Sequence, residues 1–542
     1  MFNYNLMFLN PEIFGFLPNL DLECVIVFEG PVFDHASEFV VFNDGSIVNK
    51  GIFNSVFDLE NFMPLSFILG DSLKISLATT ISNLEGPISG IDHFTISSIF
   101  LLFPDIFLSF FFLSFLLFVL FLKKSFRSLG FTDFVIWISL LCIIMVFFLL
   151  YQQDVFFWEL IQHSVVLDNV SVGVFSFILD SFVLNYSLLR IKLFVLIVMA
   201  LVLLLSLNYF NFEKFQIFEY PFFILLVLQG LFILIAANDF FIVYLSLEIQ
   251  GFCFYILAAL KKYSNLSIEA GLKYFILGSF SSSVFLFGIS IIYGFAGSLN
   301  FNDLSLLLRF ENFFNYIYDF SAFEGGNFWN IGGFQFGMVL GLVFISVGIL
   351  FKLALFPFHF WIADVYQGSP MIVTLFFSTV AKISFWLLFI KVYFNVFIYF
   401  DFFILPAINF FSAVSIVFGI IVSLYQEKIK RLLALSAISH MGFLTIAVGT
   451  LDGLAASLFY FFTYILISIN MFAVLLTFRK VLNFTKIRNL VEFSILVKSN
   501  PLVAYIFMFS LLSAAGIPPL AGFFGKFFVF MSMYKQYSYT FF

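Results

Sequence analysis

Five ionisable side chains stand inside long apolar runs: Glu248 in YLSLEIQGFCFY, Lys273 in GLKYFILGS, Lys352 in GILFKLALFPFHFW, Lys382 in STVAKISFW and Lys526 in AGFFGKFFVF. A charge at the centre of a bilayer costs roughly 2.5–3.5 kcal/mol even on a lenient insertion scale. Five left charged and unpaired would oppose insertion by on the order of 10 kcal/mol. Burial disfavours the charged form of a lysine, neighbouring positive charge disfavours it further, and a nearby carboxylate favours it. A lysine poised between those influences exchanges a proton when its neighbour changes, so a row of them near the midplane reads as a proton relay. A static pair of Glu248 with Lys273 is the simpler alternative, but it leaves Lys352, Lys382 and Lys526 without an evident acid.

Proline and histidine accompany two of these lysines. Pro357 follows Lys352 closely, removes a backbone donor and clashes with the turn before it, so a helix break is expected one to two turns beyond Lys352. His359 shares a face with Lys352 in an unbroken helix and reads equally as an interfacial histidine or a relay member. SAAGIPPLAGFFGKFFVF repeats the device, with Pro518 and Pro519 ahead of Lys526. Broken helices at membrane depth are tolerated where they line a cavity. Two of them, each with a lysine, point to two structural repeats with a site in each.

The elements that must hold these groups follow from composition. Of 542 residues, 62% are hydrophobic and 11% charged, and the mean hydropathy is +1.10. A soluble chain of this size needs far more polar surface, so the fold class is an all-α polytopic membrane protein, and nothing marks a nucleic-acid partner. Apolar runs predict about twelve transmembrane helices, near 98–122, 131–151, 189–208, 221–237, 240–260, 269–294, 336–361, 371–397, 402–425, 432–449, 453–477 and 501–535. Segments one to three occupy 98–208. Segments four to eight form a first repeat, 209–397, and the rest a second, 398–542; an odd number of helices per repeat inverts its topology. The loop 296–335 carries an expected amphipathic helix, Asn302 to Tyr318, and a Gly-rich turn, EGGNFWNIGG.

Charge is unevenly placed. Residues 1–97 hold 12 acidic and 2 basic side chains, which makes them an acidic extramembrane extension without the character of a transit or signal peptide. Alternation on either side of Asp44-Gly45, in Glu38 to Phe53, marks a possible β-hairpin there. When loops are numbered alternately, those after odd segments collect 14 of the 25 basic residues and the opposite side seven, Lys192 and Lys391 among them. The first side is therefore the cytoplasmic or matrix side, and both termini lie opposite. Lys391 and Lys261, near segment ends, are expected to reach toward the interface.

Cys24, Cys142 and Cys253 are scattered without metal-ligand spacing, so no iron–sulfur, haem or zinc site is expected. Phenylalanine, at 92 residues, exceeds what packing demands. T-rich codons would supply it, which suggests an AT-rich, organellar gene.

GLKYFILGS, FKLALFPFHFWIADVYQGSP, STVAKISFW, KRLLALSAISHMGF and AGIPPLAGFFGKFFVF together resemble the NADH dehydrogenase (ubiquinone) subunit 2 family, the antiporter-like membrane-arm subunits of respiratory complex I. The resemblance runs from about residue 98 to 535 and is dense from 240 onward. DVYQGSP and the lysine at 526 favour subunit 2 over the related subunits 4 and 5.

The resemblance implies Glu248 and Lys273 as a coupling pair, Lys352 as relay lysine of a broken helix, Lys382 as its connector and Lys526 as terminal lysine. His359 and His440 would bridge gaps along a hydrated axis. It also implies no cofactor in this chain: NADH, FMN, iron–sulfur clusters and ubiquinone would belong to partner subunits. The implied location is the mitochondrial inner membrane, among lipids and neighbouring antiporter-like subunits, with the amino-terminal extension in the intermembrane space.

Three departures stand out. Ala363 replaces a usual proline, the acidic arm has no counterpart in typical members, and the family commonly has fourteen helices. A separate polypeptide supplying the last two is the expectation. Two other readings stay open: a subunit of a multisubunit cation/proton antiporter, which shares the lysine pattern, and a membrane-arm scaffold that no longer pumps.

Overall fold

The computed structural model describes residues 39–41, 47–49, 89–122, 130–166, 174–177, 181–213, 217, 219–309, 333–450, 453–477 and 489–540. The chain separates into two compact units, Met1–Ile96 and Ser97–Phe542. In the first, β1 (Phe39–Val41) and β2 (Ile47–Asn49) pair antiparallel, with Val41 opposite Ile47. The intervening turn and most of the acidic arm lie outside the described residues.

The second unit is almost wholly helical. Its elements are α1 (Ser89–Leu122, of which residues 89–96 fall in the first unit), α2 (Gly130–Val166), α3 (Tyr186–Glu213), α4 (Glu219–Ala236), α5 (Phe240–Ala258), α6 (Asn265–Ala296), α7 (Gly333–Leu353), α8 (Phe360–Gly368), α9 (Met371–Ile390), α10 (Asp401–Leu424), α11 (Ile429–Val448), α12 (Gly453–Thr477), α13 (Ser494–Ser499), α14 (Pro501–Ala515) and α15 (Ala521–Thr540). Among the described residues, eleven helices are long and apolar enough to cross a membrane; α14 and α15 are the halves of the expected twelfth. Every expected segment has a helical counterpart. Of the expected loop helix, 302–309 is helical, and the Gly-rich turn up to Gly332 lies outside the described residues.

A small hairpin between α2 and α3 had no counterpart in the sequence reading: β3 (Val174–Phe177) pairs with β4 (Phe182–Asn185). Its pairing continues by a bridge from Phe182 to Ala237, and the Asn238 amide donates to the Ser181 carbonyl at 2.9 Å. The strands are only four residues each, too short for alternation to stand out beside long apolar helices.

Helices approach closely where glycine removes the side chain. A Cβ at Gly288 of α6 would lie 2.8 Å from the Gly341 carbonyl and 2.8 Å from the Ile345 amide of α7. One at Gly419 of α10 would lie 2.9 Å from the Ser439 amide of α11. With lipid as apolar as the side chains, such backbone-to-backbone packing supplies the association that hydrophobic burial supplies in water. At the centre stands α9, in which every residue from Met371 to Phe389 is buried.

Two lysines counted as loop charges are part of the interior. Lys192 of α3 is 1% exposed, and its ammonium donates to both Asp105 carboxylate oxygens of α1, at 2.7 and 3.0 Å. Lys391 does not reach outward. Its ammonium donates to the carbonyls of Leu234, Ile235 and Ala237, at the α4 carboxyl end, where carbonyls left without helical donors face a positive charge favourably.

Candidate functional site

The break after Lys352 comes sooner than the position of Pro357 suggested. Helix α7 ends at Leu353, so Lys352 sits in its last turn rather than one to two turns before the break. Ala354 then takes a left-handed backbone (φ 60°), a conformation that costs of order 1–3 kcal/mol and that a small side chain tolerates best. The freed carbonyls find new donors: Leu350 accepts from the Leu355 amide at 3.0 Å, and Phe351 accepts from the Ala354 amide at 3.0 Å and the Trp361 indole at 2.9 Å. Helix α8 restarts at Phe360.

The second break has the same logic. Helix α14 ends at Ala515 with Gly516 left-handed (φ 89°), whose amide donates to Leu512 at 3.0 Å. Lys526 reaches back from α15 to the exposed end of α14, donating to the carbonyls of Ala514 at 2.8 Å and Ala515 at 3.0 Å. Its charge therefore rests on the negative end of a half-helix.

Between the breaks, buried groups succeed one another. Lys352 and Lys382 both line one small cavity of about 10 Å³, together with Phe385 and Tyr366. That is close to the volume one water molecule needs. Lys382, on α9, donates to the Tyr464 hydroxyl of α12 at 3.1 Å and to the Ala437 carbonyl of α11 at 3.3 Å. His440 Nδ1 and the Tyr460 hydroxyl are 2.6 Å apart, and the His440 ring lies 5.3 Å from the Tyr464 ring. His440, Tyr464, Ser378, Ser436 and Ser468 line a further cavity of about 30 Å³. Phe443, one turn beyond His440, lies under the Lys526 ammonium at 5.3 Å. Glu248 of α5 lies near enough to Lys352, Tyr244 and Tyr255 to act on them electrostatically.

Two expected relay residues stand in surroundings that the sequence did not suggest. Lys273 does not pair with Glu248 in the structure. It is 43% exposed, two turns from the start of α6, and its ammonium meets Glu269 at 2.7 Å and Asp364 at 2.8 Å. Asp364 also accepts from Arg431 of α11 at 3.0 Å. Asp364 lies outside the membrane-spanning segments, and its carboxyl is held below the usual carboxylate range, first by the Lys273 hydrogen bond and also by Arg431. One acid, Glu269, stands four residues earlier on the same helix and the other, Asp364, on α8; residue type alone does not tell which carboxylate a lysine faces. His359 is enclosed by aromatic rings, Phe418 at 4.2 Å, Phe360 at 4.8 Å and Phe356 at 5.5 Å, and its Nδ1 has no hydrogen-bond partner in the described structure.

The phenols carry no charge and so do not stand out in the sequence. Tyr460 and Tyr464 stand one turn apart on α12, in YFFTY, and their spacing was the available signal for two hydroxyls on one helix face.

Residues 237–542 match the family described as NADH:quinone oxidoreductase/Mrp antiporter, transmembrane. The chain belongs to this family. A relative from Marchantia polymorpha, NADH-ubiquinone oxidoreductase chain 2, is 38% identical over 343 residues, covering 63% of this chain and 66% of that protein. NADH-quinone oxidoreductase subunit N of Pelagibacter ubique is 34% identical, covering 66% of this chain and 72% of its own. The chain thus spans just under two thirds of the Marchantia relative. Among solved structures, a chain of respiratory complex I from Thermus thermophilus is 25% identical with a TM-score of 0.59, covering 80% of this chain and 83% of its own. A chain of the Mrp complex from a Dietzia species, 18% identical, shares the fold with a TM-score of 0.60, covering 80% of this chain and 74% of its own.

Proposed function

We propose that this chain is a proton-translocating, antiporter-like subunit of respiratory complex I, moving protons through a midplane relay coupled to quinone reduction elsewhere in the complex. The observation that carries the reading is the succession of Glu248, Lys352, Lys382, Tyr464, His440, Tyr460 and Lys526, with cavities of about 10 and 30 Å³ beside Lys382 and His440. A proton taken up by the neutral Lys352 amine passes to Lys382 across the first cavity. The Tyr464 hydroxyl and His440 carry it on toward Lys526. Each step moves one proton between nitrogen or oxygen atoms and needs no redox centre in this chain.

In this reading NADH, FMN, iron–sulfur clusters and ubiquinone belong to partner subunits, and the partners are neighbouring membrane-arm subunits. The membrane is the mitochondrial inner membrane, with both termini on the intermembrane-space side. The outward faces of α14 and α15, where Leu502 is 70% exposed and Tyr534 73%, are where a separate polypeptide would pack.

Lys352→Ala in the reconstituted complex tests the reading. Assembly without proton pumping, with NADH:quinone turnover lost alongside it, is the expected result. Unchanged turnover and an unchanged proton-to-electron ratio would make the buried lysine structural. The fold shared with the Mrp complex supports a second reading, a subunit of a multisubunit cation/proton antiporter. Co-purification with flavin and iron–sulfur subunits decides between them.

A further inference from the structure

Lys352 is enclosed, so a proton must reach it past a neighbouring side chain. Opposite the cavity it shares with Lys382 stands Tyr255 of α5, whose ring centre is 6.0 Å from the Lys352 ammonium. The ring also lines a cavity of about 340 Å³ between α4, α5 and α6. Glu219 and Lys262 line that cavity too. They are 39% and 75% exposed and 4.0 Å apart, at the end of the bundle assigned to the matrix or cytoplasmic side. Tyr255 itself is 8% exposed, held edge-on by Tyr274 at 5.0 Å and Phe275 at 5.6 Å. Tyr255 therefore stands on the wall of an open cavity, with the Lys352 ammonium near its ring.

Gly278 makes room for the Tyr255 hydroxyl, which a Cβ there would overlap. A Cβ on Gly251 would sit in ordinary contact with both groups, 3.4 Å from the hydroxyl and 3.6 Å from the Lys352 ammonium. The phenol oxygen and the lysine nitrogen thus flank the same point on α5.

We propose that Tyr255 is the proton-conducting gate between the 340 Å³ cavity and Lys352, a reading that rests on the relay described above. The phenol O–H proton passes to the neutral Lys352 amine as the phenol oxygen takes a proton from a hydrated proton in the cavity. One O–H bond breaks and another forms. The phenol ends neutral, H3O+ becomes water, and the amine becomes an ammonium. Tyr274 and Phe275 hold the ring so that water itself does not pass.

The test is proton pumping by the complex in proteoliposomes carrying Tyr255→Phe, Leu272→Trp or Lys352→Ala. Tyr255→Phe keeps the ring and removes the relay atom, and is expected to slow pumping by about 10²-fold, the low end of what a positioned acid–base group contributes. Its residual rate should rise about tenfold for each pH unit lowered on the cavity side, because direct protonation of Lys352 is first order in hydrated protons. A merely structural defect scales the rate equally at every pH. Leu272, 57% exposed and on the cavity wall, accepts a larger residue that narrows the cavity, and Leu272→Trp is expected to slow pumping without the loss of any ionisable group.

Wild-type pumping in Tyr255→Phe and Leu272→Trp, with Lys352→Ala inactive, overturns the gate and leaves the relay standing. Wild-type pumping in Lys352→Ala overturns the relay, and the gate with it. If Tyr255→Phe does not assemble, Leu272→Trp decides: slowed pumping supports the gate and an unchanged rate overturns it.

Discussion

The carboxylate of Asp364 accepts a hydrogen bond from Arg431 at 3.0 Å while its other oxygen holds Lys273 at 2.8 Å. One short helix, α8, is therefore fastened to α6 on one side and to α11 on the other, and the break after Lys352 is fixed at its far end. Each partner is about two-fifths exposed, so each pair is worth at most about 1 kcal/mol. Asp364→Asn should lower thermal stability by that order, with Asp364→Glu retaining more of it. A melting curve of the assembled complex checks this, and equal curves for Asp364→Asn and the wild type would show that the clamp carries no load.

The same carboxylate gives a pH dependence with a definite sign. Its folded-state pKa is lowered, chiefly by Lys273, so its contribution is fully present above the ordinary aspartate value of about 4. That contribution is lost as pH falls through the lowered value. The stability difference between wild type and Asp364→Asn should be flat from about pH 8 to about pH 5 and shrink toward zero below about pH 4. A difference that instead grows on acidification contradicts the assignment.

Tyr464 is the side-chain hydrogen-bond partner of Lys382, and Tyr464→Phe leaves that ammonium with one carbonyl. A hydrogen bond to a charged group contributes roughly 1.5–3 kcal/mol, so proton pumping should fall by about tenfold or more. Assembly should be intact, because the ring remains. Retention of full pumping would remove the phenol from the relay.

The buried pair of Lys192 and Asp105 predicts a non-additive result. Removing one partner leaves an uncompensated charge and costs about 3–5 kcal/mol, whereas replacing both with apolar residues of similar volume is close to neutral. Lys192→Met alone should deplete assembled complex, and Lys192→Met with Asp105→Leu should restore most of it. Native gel analysis of both variants reads this directly. Equal depletion in the double variant would point to a role beyond holding α1 against α3.

Gly288→Val should separate α6 from α7, since a first side-chain atom already meets backbone of the facing helix at 2.8 Å. Overpacking of this kind costs typically 1–3 kcal/mol. Loss of assembled complex at elevated temperature is the expected readout, against a mild effect for a valine at Gly294, which has open space around it.

Much of the fold was legible because the bilayer simplifies the reading. Long apolar runs become helices, and Pro357 and Pro518-Pro519 announced both breaks. The site was legible as far as charge made it so: Lys352, Lys382 and Lys526 stood out against their surroundings, but Tyr255, Tyr460 and Tyr464 did not, because a phenol is at home among apolar residues. Partners were the least legible. Lys273 faces Asp364 rather than Glu248, Lys192 faces Asp105, and Lys391 faces the carbonyls of α4, each choice made by helices distant in sequence.

The complete burial of α9 bears on how the chain is made. From Met371 to Phe389 it has no side turned outward, and its neighbours include α3, α4, α7 and α12. Helix α12 is synthesised after it, and so is the α11 carbonyl that receives Lys382. When α9 leaves the ribosome its niche is therefore half built, with Lys382 still lacking both hydrogen-bond partners. The later helices close around it, so the residue proposed as the relay's connector is also one whose hydrogen-bond partners reach the membrane after it.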